Sequence, residues 1–172
     1  MAVKRVDGSW KNFPYGSNFE DGASNNGGFN LVEHPDKIDL ITEFEKLPRI
    51  KEAVYKLNTE STKFMTTGFL FDKSEKDECY VGYIEFCFRP NINHSSFSIY
   101  KIDEVFLDYL RPIMGEDFTE FYQREFVWEI REGTVQQSPV VPVYSVFFRA
   151  MDHHGAELEL VPLLDWLRTN FR

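Results

Sequence analysis

Apolar and polar positions alternate most cleanly in "REFVWEIRE", where Phe126, Trp128 and Ile130 fall on one face and Glu125, Val127, Glu129 and Arg131 on the other. A period of two predicts a strand with one face in a core and one in water. Two aromatic-rich runs, "KFMTTGFLFD" and "ECYVGYIEFCFR", flank the charged "KSEKDE" and predict a β-hairpin. In the second run Tyr80, Ile84, Phe86 and Phe88 share a face, while Glu85 and Arg89 point the other way with Cys79 and Cys87. "VYSVFFRAM" is strand-like, and so is "AELELV", where Leu158 and Leu160 alternate with Glu157 and Glu159. The "DHHG" between them, residues 152 to 155, fits a hairpin loop: Asp bonds its own backbone two residues on, and Gly accepts positive φ.

Elsewhere the period is helical. "HPDKIDLITEFEKL" begins with Pro35 at a first helical position, carries Asp36 and Asp39 at the positive end, and spaces Leu40, Phe44 and Leu47 at i, i+4 and i+7. Pro48 breaks that pattern, and "RIKEAVYKLN" restarts it with Ile50, Val54 and Leu57. "DEVFLDYLRPIM" carries a stripe of Ile102, Phe106, Tyr109, Leu110 and Ile113, ended by Gly115. Pro162 is expected to open a last helix, "PLLDWLRTNF", with Leu163, Leu167 and Phe171 inward. Residues 1–30 show neither period and read as an irregular Gly/Asn-rich arm, with "SNNGG" its most mobile point and its aromatics laid in part on the domain. Residues 31–172 then form a single α+β domain: an antiparallel sheet of about five strands with helices packed on one side.

Composition narrows the partners. At 172 residues the chain can bury one core without disulfide or metal staples. Cys79 and Cys87, eight residues apart in one strand and so roughly 26 Å from each other, read as reduced thiols. A net charge of −9 argues against nucleic acid and anionic membrane surfaces. From Glu116 onward there are ten Asp or Glu against five Arg, the composition of a solvated face or of a docking surface for a basic protein. No signal-like segment or membrane-length apolar run appears, so the expected location is cytoplasmic.

Candidate chemistry is sparse. Asp152, His153 and His154 project differently from a tight loop, and His34 and His94 have no ligand spacing to them, so no metal or cofactor is expected. No nucleophile elbow occurs, and Cys87 with His94 makes no recognised pair. The wet sheet face could gather Glu85, Arg89, Glu125, Glu129 and Arg131. There Glu85 and Glu129 would be the catalytic carboxylates of a small-ligand or hydrolase-like enzyme, with Arg131 or Arg89 orienting an anion. Cross-strand ion pairs would explain the same residues without a reaction. The leading reading is a binding module rather than an enzyme. It would dock a basic, toxin-like protein on Glu116, Asp117, Glu120, Tyr122 and Glu125, with Tyr122 or Trp128 as aromatic anchor, and it shares the general character of immunity proteins.

Overall fold

The computed structural model describes residues 3–6, 11–15, 26–61, 63–93 and 100–170. Its strands are β1 (Lys4–Arg5), β2 (Lys11–Phe13), β3 (Phe64–Lys73), β4 (Tyr80–Phe88), β5 (Val127–Val135) and β6 (Val141–Ala150), in one six-stranded sheet. The order is β1-β5-β6-β4-β3, with β2 also on β5. The α-helices are α1 (Pro48–Glu60), α2 (Ile102–Met114), α3 (Glu116–Glu125) and α4 (His153–Thr169).

The fold is α+β, but the sheet is mixed. β3 and β4 form the expected antiparallel hairpin, β6 pairs antiparallel with both β4 and β5, and β1 and β2, from the segment read as an irregular arm, run parallel to β5. Strands of two and three residues are too short to display a period of two, so the pattern could not reveal them. Of the "SNNGG" run, residues 24–25 lie outside the described residues, and Asn26–Gly28 form a short 3-10 segment. β5 and β6 meet through a turn in which Gln136 and Gln137 both have positive φ (49° and 63°). Neither is glycine, and β2 holds them there: Gln136 N–H donates to Phe13 O (2.8 Å) and Gln137 N–H to Asn12 Oδ1 (3.0 Å).

One face of the sheet supplies the main core. Phe64, Ile84, Phe86, Trp128, Ile130, Tyr144, Val146 and Phe148 join Ile50, Val54 and Leu57 of α1, Phe106 and Leu110 of α2, and Leu160 and Leu164 of α4. Phe71 and Phe148 stack at 5.7 Å above Gly82, where a Cβ would collide with the backbone carbonyl of Leu70 and crowd the Phe148 ring. On the opposite face a smaller cluster gathers Phe13, Met65, Cys87, Val135, Val141 and Val143.

Two helical expectations change. Residues 35–44 form two 3-10 segments, Pro35–Leu40 and Thr42–Phe44, and the α-helix starts at Pro48. "DHHG" is not a hairpin loop, and "AELELV" is not a strand. Asp152 is the N-cap of α4, its Oδ1 accepting from Gly155 N–H at 2.7 Å, and the His153 ring packs edge-on against Tyr80 (4.8 Å) and Phe71 (5.5 Å). Ala156, Leu160, Leu163, Leu164 and Leu167 form the buried stripe of a helix that passes through Pro162 instead of beginning there. Pro162 has no N–H for the Leu158 carbonyl. The buried Tyr122 hydroxyl of α3 fills the gap, donating to Glu159 O at 3.0 Å and reaching Leu158 O at 3.4 Å. Phe171 lies outside the described residues.

Candidate functional site

The sheet face read as wet is closed at its centre. Glu85, Ser145 and Glu129 follow one another across β4, β6 and β5, but Glu85 is 1% exposed. Its Oε1 accepts from Tyr15 Oη (2.6 Å) and Thr67 Oγ1 (3.3 Å), and its Oε2 from Ser145 Oγ (3.1 Å). Burial first, then the neighbouring Glu85 carboxylate, pushes both the Tyr15 phenol and the Cys87 thiol upward, which leaves Cys87 an inert, packed thiol. Glu129, two strands from Glu85 and so roughly 10 Å away, meets Arg131 Nη2 at 3.5 Å instead. Arg89 is spent on backbone carbonyls, Phe64 O at 3.1 Å and Asn58 O at 2.6 Å. The sequence placed Glu85, Glu129 and Arg131 on one face correctly, but Glu85 has its lone pairs occupied by internal hydroxyls and does not share a solvent-filled site with Glu129. Alternation shows which face a side chain takes; it does not show that Tyr15 crosses that face.

The second candidate region is α2 with α3, joined at Gly115, whose φ of 85° lets the chain turn from one helix into the next. Residues 116–125, which carry no helical period strong enough to stand out in the sequence, form the helix α3. Glu116 and Asp117 occupy its first turn, where the helix dipole favours them. Glu116 is tied to Arg111 (3.0 Å), which also holds Asp108 (2.8 Å). The Asp117 and Glu120 side chains are exposed and form no hydrogen bond or ion pair with any described residue. Phe118 between them is 53% exposed, and Ile113 on α2 is 62% exposed. Tyr122 and Trp128, expected as anchors, are buried in the core and do not belong to this surface. Glu125 marks its edge, clamped by Arg124 (2.8 Å) and Arg149 (3.1 Å), whose hydrogen bonds hold it below the usual carboxylate range.

Among the described residues no group of three or more His, Cys, Asp or Glu gathers in metal-binding geometry, and no helix is long and apolar enough to cross a membrane. His94 lies outside the described residues. Comparisons with known protein families, curated proteins and solved structures give no significant match.

Proposed function

We propose that this chain is a protein-binding module that covers a basic partner with the exposed side of α2 and α3, in the manner of an immunity-type inhibitor occluding a toxin. The observation that carries the reading is Phe118, exposed on α3 between Asp117 and Glu120, two carboxylates with no partner among the described residues. An exposed aromatic ringed by unspent charge combines an anchor for the interface centre with a field that steers a cationic surface toward it. The chain's net charge of −9 acts in the same sense. The alternative, an enzyme working through Glu85, Glu129 and Arg131, is disfavoured by the three hydroxyls that occupy Glu85.

The test is affinity capture from the source organism with the parent chain and with Glu116→Lys/Glu120→Lys in parallel. The expected result is a stoichiometric basic protein held by the parent at low salt and lost from the variant, which should remain folded because solvated carboxylates contribute little stability. No basic partner, or equal capture by both, would overturn the reading.

A further inference from the structure

Beneath the acidic face lies a buried carboxylate that no described side chain meets. Asp103, in the first turn of α2, is 2% exposed, and among the described residues no side chain donates a hydrogen bond to either of its oxygens. Burial pushes its pKa upward, against the lowering pull of the Glu104 and Asp103 backbone N–H groups at the start of its helix. Asp103 lines a small cavity walled by the rings of Phe106, Tyr122, Phe126 and Trp128. These rings form a continuous set, Phe106 lying 5.5 Å from Tyr122 and 6.1 Å from Trp128, and Tyr122 lying 4.8 Å from Phe126. Half-buried Leu107 and exposed Gln123 complete the lining on its outer side. The space left is about 10 Å³ for the centre of a water-sized group.

Each feature selects for the same occupant. A buried, unpaired carboxylate is costly until something compensates its charge. Aromatic rings give a neutral molecule no electrostatic gain, and a ring face presented to a cation attracts it. Room for one water-sized group admits a primary ammonium head. It excludes the planar fork of a guanidinium and the bulk of a trimethylammonium.

We propose that this pocket binds a primary alkylammonium group, supplied in the complex by a lysine side chain of the basic partner that α2 and α3 cover. The source of the lysine rests on the proposed function; the pocket's selectivity does not. Lysine carries its charge on a four-carbon stem that can pass between Leu107 and Gln123, whereas arginine cannot bring its head inside.

The probe is n-butylammonium chloride, titrated into the full chain while the Trp128 indole N–H is followed by NMR, with Trp128→Phe used to assign the resonance. A saturable shift in the millimolar range is expected, with affinity at least tenfold weaker in Asp103→Asn and no saturable shift from n-butylguanidinium or n-butanol. Leu107→Trp, which plugs the outer side and leaves the carboxylate in place, should abolish the shift as well, so the result does not hang on one variant. The proposal is overturned if n-butylammonium gives no saturable shift up to about 100 mM, if Asp103→Asn binds within twofold of the parent, or if the guanidinium binds equally. A pocket that fails while a basic partner is still captured would remove this inference and spare the proposed function. A pocket that binds in a chain capturing no partner would do the reverse.

Discussion

Two carboxylates are buried to the same depth and treated in opposite ways. Glu85, on the sheet face away from the main core, is met by hydroxyls from Tyr15, Thr67 and Ser145. Asp103, against the core aromatics, is met by no side-chain donor among the described residues. The fold has spent donors from three further segments of chain on one charge and has left the other facing a cavity. Burial alone therefore does not mark a functional group. The difference between a satisfied and an unsatisfied buried charge does, because the second carries a cost that only a ligand, a water or a proton can lower.

The largest expected effect comes from the wall that Asp103 shares with the core. Trp128→Ala removes a ring that is 5% exposed and should cost about 4 kcal/mol in denaturant unfolding, a large fraction of a typical domain's stability. Next comes the comparison itself. Glu85→Ala should cost about 3 kcal/mol, since it strands three hydroxyls in a buried place. Asp103→Asn should cost nothing or stabilise at neutral pH, because a charge without a partner is lost. Equal losses at both positions would erase the distinction.

A smaller effect isolates the wall from the helix behind it. Tyr122→Phe keeps the ring beside Asp103 and removes only the donor to Glu159 O and Leu158 O, at a cost of about 1.5 kcal/mol. Pro162→Ala in the same background should recover much of that loss, since the restored N–H reaches the Leu158 carbonyl within the helix. Additive behaviour of the two changes would show that Tyr122 does not serve the proline break.

The smallest effect is a pH dependence. Glu159 is pushed up to about 7, first by burial and then by the charge of Glu125. Its folded value lies above its unfolded one, near 4.3, so the fold binds the proton more tightly than the unfolded chain does. Stability from this residue is complete below about pH 4 and is lost as pH rises through 7. Glu159→Gln should therefore gain about 1 kcal/mol at pH 8, a figure reduced for the side chain's partial solvation, and change nothing at pH 4. Thermal melts at the two pH values would read the difference.

What the sequence could show followed the range of each cause. β5, the β3–β4 hairpin and α2 were legible because their periods are set by neighbours a few residues apart. α4 was misread because Leu158 and Leu160 mimic alternation, and because Pro162 passes for a helix start when Tyr122, 40 residues earlier, is out of view. Glu85 was placed on the right face and given the wrong environment, since nothing near it in sequence announces Tyr15, 70 residues away. Asp103 carries no distinguishing mark in the sequence. An acidic residue in a first helical turn is ordinary by the helix dipole, and only the packed rings around it make it unusual.

The central claim is that Asp103 carries an uncompensated charge in the free protein and that an ammonium compensates it. Carboxyl ¹³C NMR of the selectively labelled chain, titrated over pH with and without n-butylammonium chloride, tests this directly. The Asp103 carboxyl should titrate above the ordinary aspartate range in the free chain and move down when the amine is present. An Asp103 that titrates at or below the ordinary range, and does so equally in the presence of the amine, would contradict the account.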